Sequence, residues 1–317
     1  MKKILLASTV LAMTSTLASA EITFSGYGRF GLDYNDGVSP GVEEIQVNMR
    51  MRVNVNGSVE TDAGVKFGGR MRFQYTDGQD DDSIGFSQAM LFAEMSGVRM
   101  EIGNSNTAYD STALMYNSEI GYLDRSFGDP NGDYYGFNSV AEDYNDGVST
   151  DDRMGLFVSY SVGDMNVRLS SIDPDQTDGS GFAAPAELSI SADYKFGAVT
   201  VAAAYADNAF SDETAEALFL GAEYAINDAA NVGVLYFDYD EFGGGNDSAR
   251  VTLYGNYTFD AITVAGYVAN DDQAGLATDI AYGLGVSYDL GGARAAFDVH
   301  SNYNEDTIAG VGVRFDF

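Results

Sequence analysis

The chain has 317 residues, with 48 Asp+Glu against 16 Lys+Arg, a formal net charge of −32, and neither cysteine nor tryptophan. So negative a chain repels nucleic-acid phosphates, which excludes DNA or RNA as a partner. The missing cysteines exclude disulfide staples and thiolate metal sites.

The chain opens with "MKKILLASTVLAMTSTLASA". Lys2 and Lys3 precede a short apolar stretch from Ile4 to Met13, and Ala18-Ser19-Ala20 forms a small-x-small cleavage site. That pattern predicts a secretory signal peptide over residues 1–20, too short in its apolar part to cross a bilayer as a helix. The mature chain, residues 21–317, then begins at Glu21, and losing two lysines takes the charge from −32 to −34.

From Glu21 the dominant signal has period two, which predicts strands. In "LSISADYKF", Leu188, Ile190, Ala192, Tyr194 and Phe196 alternate with Ser189, Ser191, Asp193 and Lys195. The closing "AGVGVRFDF" puts Val311, Val313, Phe315 and Phe317 on one face, with Arg314 and Asp316 on the other. Together with "ARVTLYGNYTF" at 249–259, such segments are expected in chain order at 22–34, 44–56, 65–75, 86–95, 98–103, 153–161, 165–172, 198–206, 216–226, 231–238, 261–269, 280–290 and 293–300. That makes sixteen, of which the fourth and fifth alternate poorly. Pro40, Pro130, Pro174 and Pro185 all fall between them, as strands require.

The connections alternate between short and long. Brief turns fall at Ser96-Gly97, Gly163-Asp164, Gly197, Asn227-Asp228, Asp260 and Gly291-Gly292, with a longer one near 57–64. Between them lie polar stretches near 35–43, 76–85, 104–152, 173–186, 207–215, 239–247, 270–279 and 301–307. A soluble sandwich with Greek-key crossings has no reason to keep that alternation. An up-and-down transmembrane barrel does, with turns at one end and loops at the other. The expected fold is therefore all-β: an antiparallel sixteen-stranded transmembrane barrel with a long third loop at 104–152.

Positive charge is unevenly spread. Residues 21–75 hold six basic residues against seven acidic ones, while the remaining 242 hold eight against 41. Arg29, Arg50, Arg52, Arg70 and Arg72 all fall on the polar face of the first three strands, with Met49, Met51 and Met71 on the lipid face. A cluster of like charges needs water or counter-charges, and a sixteen-stranded barrel encloses a water-filled lumen. The third loop offers Asp110, Glu119, Asp124, Asp129, Asp133, Glu142, Asp143, Asp146, Asp151 and Asp152. A segment so long without periodicity is functional or disordered. Folded inward, it would set carboxylates against the arginines. The other reading of the patch is pairing with neighbouring strand acids or lipid headgroups.

Other signals are weaker. His300, the only histidine, stands near Asp298 on the polar face with no nucleophile motif beside it, so no enzyme is expected. "DPDQTDG" at 173–179 lacks the distal Glu of a calcium loop. No metal-ligand cluster or other cofactor is expected, apart from Ca²⁺ held loosely by carboxylate-rich loops.

The opening "EITFSGYGRFGLDYN", the arginine pairs, "SEIGYLD" in the long loop, "YGLGVSYDLGGA" at 282–293 and the closing "VGVRFDF" resemble a Gram-negative general porin of the alphaproteobacterial type, over essentially the whole mature length. The resemblance implies an outer-membrane homotrimer for passive diffusion of small hydrophilic solutes and ions. Its third loop would fold inward, with Glu119 facing the basic wall, joined by the nearby Asp124, Asp129 and Asp133. It also implies that Phe317 is read by the barrel-assembly machinery. The scarcity of loop cations beyond Arg125 points to a mild cation preference. Two alternatives stand beside it. A substrate-selective channel would use Tyr109, Tyr116, Tyr134 and Tyr135 as an aromatic ladder. A closed barrel acting in surface adhesion would project the long loop outward.

Overall fold

The computed structural model describes residues 20–77, 84–130, 134–139, 144–145, 148–149, 153–173, 185–209, 215–241 and 246–317. Residues 1–19 of the expected export signal, and Asp133 of the expected acidic face, lie outside them.

Strands follow from the alternation. They are β1 (Glu21–Asn35), β2 (Ile45–Glu60), β3 (Lys66–Asp77), β4 (Ile84–Phe86 continuing as Met90–Met95), β5 (Val98–Gly103), β6 (Met154–Val162), β7 (Met165–Asp173) and β8 (Glu187–Phe196). The second half comprises β9 (Val199–Asp207), β10 (Glu216–Asn227), β11 (Ala230–Glu241), β12 (Asn246–Phe259), β13 (Ile262–Asp271), β14 (Ile280–Asp289), β15 (Arg294–Ser301) and β16 (Thr307–Asp316). Each pairs antiparallel with its sequence neighbour, and β1 pairs with both β2 and β16, so the sheet closes on itself. Closure leaves no unpaired edge, the condition for a sheet in hydrocarbon.

Most boundaries fall within two residues of the sequence reading, but β11 and β12 each reach three residues farther toward their loop, to Glu241 and from Asn246, and two other strands differ in kind. β2 runs on to Glu60 because Gly57 and Ser58 pair with Gly69 and Gly68, so the turn occupies only the residues from Thr61 to Val65. The fourth strand is interrupted at residues 87–89, where Ser87 Oγ accepts from the Arg72 amide at 2.8 Å. Both pieces pair with β3, so they form one stave, and the side chain that replaces the ladder there explains the poor alternation.

Polarity is inverted relative to a soluble protein. Phe24, Leu32, Met51, Met71, Leu91, Ile190, Leu253, Leu284, Phe297 and Val311 are exposed on the outer face. Arg29, Asn48, Ser189, Ser191, Arg250, Thr252 and Asp298 are buried on the inner one. At the short-turn end Tyr160, Tyr194, Phe196, Tyr224, Tyr257, Phe259 and Phe317 stand outward as an interfacial girdle. The turns use the backbone freedom they need: Gly97, Gly163 and Gly197 sit at φ 83°, 58° and 62°.

A charge on the lipid face should therefore be costly. Leu253→Arg is expected to destabilise the barrel by about 2–4 kcal/mol in vesicle-based urea unfolding. Asn256→Arg, one pleat round on the lumen side, should leave the midpoint nearly unchanged.

Candidate functional site

The third loop leaves β5 at Gly103 and folds into the barrel. Backbone amides that a strand would satisfy are met instead by inward side chains of the wall. Ala108 N donates to Ser170 Oγ at 2.8 Å and Tyr109 N to Ser189 Oγ at 3.1 Å, both on neighbouring strands β7 and β8. Further along, Asn117 Nδ2 donates to Glu223 Oε2 at 3.0 Å and Phe127 N to Tyr267 OH at 2.9 Å. The hydroxyl of Thr252 donates to the Gly128 carbonyl at 2.7 Å. Beneath this leg the wall is small or apolar: Ala204, Ala217, Phe219 and Leu235 pack against Tyr109, Leu114 and Met115 of the loop. The hydrophobic core of this protein thus lies inside the barrel, between the loop and one side.

The turn Ile120–Arg125, closed by a two-residue bridge between its ends, is clasped by cations. Arg29 Nη1 donates to the Leu123 carbonyl at 2.7 Å, and Arg294 Nη2 to the Gly121 carbonyl at 3.0 Å and Asp124 Oδ1 at 2.6 Å. Arg314 pairs with the other Asp124 oxygen, and Arg125 with Asp33 at 2.7 Å. Gly121 is required on two counts. It sits at φ 79°, and a β-carbon there would collide with the Asp298 carboxylate.

The staves next to β1, namely β2 and β3, carry the arginine wall. Among the described residues none of Arg29, Arg50, Arg52, Arg70 or Arg72 makes an ion pair, whereas Arg99, Arg168 and Arg250 each do. They use neutral partners instead. Arg50 Nε donates to Thr76 Oγ1 at 3.1 Å, Arg52 Nε to Gln74 Oε1 at 2.7 Å and Arg72 Nε to Asn54 Oδ1 at 2.9 Å. Loop residue Phe137 lies under Arg70 and Arg72, 4.1 and 4.4 Å from its ring centre, a cation–π arrangement. A cleft of about 470 Å³ separates Arg52, Arg70 and Arg72 from Asp110 and Tyr134 of the loop.

A closed sixteen-stave barrel, greasy outside, with a loop pinned across a charged lumen, has matches among known proteins. Residues 7–309 match the family of Gram-negative porins. The chain belongs to that family. It is 40% identical over 298 residues to a porin of Fuscovulum blasticum, covering 94% of this chain and 100% of that one. A porin of Rhodobacter capsulatus is 30% identical with the same two coverages. A mutant of the Rhodopseudomonas blastica porin superposes with a TM-score of 0.85 at 39% identity, over 94% of this chain and all of the other. The protein is an outer-membrane porin channel, not an enzyme.

The porin's geometry sorts the expected site residues. Arg50, Arg52, Arg70 and Arg72 do stand together on one wall. Arg29 faces the lumen beside them, but it is buried under Leu123 and holds the loop. Glu119 is half-buried on the loop near Arg29, Arg294 and Arg314. Asp124 faces Arg294 and Arg314, not the arginine pairs. Asp129 departs from the expectation. It is buried within the loop, bonded to Ser118, with its own carbonyl accepting from Arg250. Asp110 emerges instead as the acid across the cleft, held by Asn106 and Tyr116. Nothing in its local sequence separates it from the other nine loop acids.

The alternatives fare differently from the channel. Tyr109, Tyr134 and Tyr135 are buried, Tyr116 is half-buried and bonded to Asp110 and Tyr134, and of the four only Tyr134 lines the cleft, so they form no ladder along it. The loop is folded in, not projected, as far as it is described. His300 is fully buried, with Nε2 2.9 Å from Asp298 and Nδ1 2.9 Å from the Tyr267 hydroxyl that receives Phe127 N, so it supports the loop. Among the described residues no group of His, Asp and Glu is arranged to hold a metal ion.

Burial pushes the Glu119 carboxyl up to about 8, with Asp129 adding to the rise and Arg314, Arg29 and Arg294 opposing it. Burial likewise raises Asp129 to about 7, against hydrogen bonds from Ser118 and Ser126. Glu119 is thus neutral below its raised value and gains its charge as the pH climbs through it. Cation preference should rise between pH 6 and 9, read as reversal potential, and Glu119→Gln should remove the upper part of that rise. An unchanged rise in the variant would assign the titration elsewhere.

Proposed function

We propose that this porin is a passive diffusion channel with a mild cation preference, whose narrowest part lies between Arg50, Arg52, Arg70 and Arg72 on the wall and Asp110 and Glu119 on the inward loop. The observation that carries this reading is the cleft between Arg52, Arg70 and Arg72 on one side and Asp110 on the other. Charges of opposite sign on facing walls create a transverse field that orients dipolar solutes, while the gap sets the size limit.

The cation preference comes from outside the cleft. The arginine wall on its own would attract anions. The long-loop end carries an excess of acids, such as Asp36, Glu43, Glu44 and Glu305, which concentrate cations before they enter. Being exposed, these charges are screened by salt, so the preference weakens as ionic strength rises. Association as a homotrimer, and reading of Phe317 by the assembly machinery, follow from the family resemblance. The exposed apolar outer face of β1–β4 is compatible with a neighbouring copy. Carboxylates at the mouth also allow loosely held Ca²⁺.

Reversal potential under a KCl gradient across a planar bilayer tests the reading. The wild type should prefer cations, more so in dilute salt. Arg52→Gln, Arg70→Gln and Arg72→Gln combined should raise that preference, and Asp110→Asn should lower it. A wild type that prefers anions, or a triple variant without effect, would contradict the proposal.

A further inference from the structure

Five of the inward-facing strand glycines lie beneath the Ile120–Arg125 turn, where no chain reversal requires them. They are Gly31 on β1, Gly283 and Gly285 on β14, and Gly310 and Gly312 on β16. None has positive φ. Glycine within a strand weakens it, and usually marks a place where another group approaches closely. Here a loop side chain stands among the nearest atoms at each of the five.

The Tyr122 ring lies flat across β1 and β16. A β-carbon on Gly31 would come 2.7 Å from its Cζ, behind the Val311 carbonyl of the wall at 2.3 Å; one on Gly310 would lie 3.0 Å from its Cε1, beside Asp298 Oδ1 at 2.9 Å, and one on Gly312 2.5 Å from its Cδ2. Gly31 and Gly312 are directly paired across the ladder, so the ring covers a continuous bare patch of backbone. Two residues earlier, Ile120 sits over β14. A β-carbon on Gly283 would meet Tyr267 and His300 of the wall first, at 2.5 and 2.6 Å, and Ile120 Cδ1 at 3.0 Å, whereas one on Gly285 would meet Ile120 Cβ first, at 3.1 Å. Between the two patches, Ala296 of β15 packs with Tyr122 and Leu123. Both knobs are buried.

We propose that Ile120 and Tyr122 are positioning residues, seated in this glycine floor, and that the floor sets how far the constriction loop stands into the lumen. The inference rests on the loop forming the constriction. The cations that clasp the turn act laterally on its carbonyls and on Asp124; they fix where the turn lies along the wall. Its height above the wall is set by van der Waals contact, and close-packed groups do not compress. Any side chain added to the floor must therefore lift the turn off the wall and farther into the lumen. Glu119, adjacent to Ile120, moves with it.

The cleanest site is Gly285, where the three atoms nearest a β-carbon all belong to the loop, Ile120 Cβ and Cδ1 and the Gly121 amide nitrogen. Full-length Gly285→Val, Ile120→Ala, their combination and Arg72→Gln are refolded and compared with wild type, first by heat-shifted gel migration and then by single-channel recording. Gly285→Val should migrate as wild type yet show reduced conductance and a shifted reversal potential. Adding Ile120→Ala, which makes room under the turn, should restore both toward wild type. A merely structural glycine would lose stability and gain nothing from Ile120→Ala.

A folded Gly285→Val with wild-type conductance and reversal potential, or a loss that Ile120→Ala does not relieve, would overturn the proposal. Should Gly285→Val not fold, Gly310→Ala is read in the same way, with Tyr122→Leu as the relieving change, since only the side chains of Asp298 and Tyr122 crowd that position. Arg72→Gln separates the two levels of the argument. If it shifts selectivity while the floor variants do not, the constriction stands and the seat fails. If neither shifts, the constriction reading itself fails.

Discussion

Everything in this structure depends on one constraint, that backbone polar groups in hydrocarbon must be satisfied within the protein. A sheet can meet it only by closing, and β1 does so by pairing on both sides, with β2 and β16. Closure at sixteen staves leaves a lumen wide enough for water, so polar residues turn in and apolar ones turn out. The arginines of β2 and β3 are possible only in that setting. In a solid core, cations without carboxylates would be prohibitive. Facing a wet cleft, they remain charged and are held by Thr76, Gln74, Asn54 and the ring of Phe137.

A lumen that wide does not discriminate, and the third loop narrows it. The loop brings its own apolar side chains and finds an apolar half-wall to cover. Ala204, Ala217, Phe219 and Leu235 face inward under Tyr109, Leu114 and Met115. Packing therefore places the loop against one side and leaves the passage along the other. The charged contacts refine the placement. Arg29, Arg294 and Arg314 grip the turn that carries Glu119, and Ser170 and Ser189 take the amides where the loop first crosses the wall.

The wall was largely legible in the sequence. Period-two alternation marks the strands because each side chain faces either lipid or water. The alternation of long and short connections marks the meander. The alternation does not show the break in β4, where Ser87 substitutes for a ladder bond, the reach of β2, where glycines continue one, or the three further residues of β11 and β12 toward their loop. The loop was much less legible. Its contacts join residues as distant as Asp124 and Arg294, and no local pattern encodes such a partner. Hence Asp129, expected at the pore, is turned into the loop, while Asp110 faces the arginine wall. One signal was available. Gly31, Gly283, Gly285, Gly310 and Gly312 all fall on the polar face of their strands, and each has Ile120 or Tyr122 of the loop among its nearest neighbours. The stretches "SEIGYLD", "YGLGV" and "AGVGV" are the two halves of one joint.

The central claim is that the loop lies inside the barrel against the wall, and a disulfide tests it most directly because the chain has no cysteine of its own. A β-carbon on Gly128 would lie 3.1 Å from Thr252 Cβ, so a shift of the loop by a few tenths of an ångström brings the pair to the roughly 3.5–4.5 Å of a disulfide. With Gly128→Cys and Thr252→Cys combined, oxidation should close the pair nearly completely and leave single-channel conductance close to wild type. Two free thiols under the same oxidation, with the loop cysteine reacting with a bulky reagent too large to enter the barrel, would place the loop outside and contradict the account.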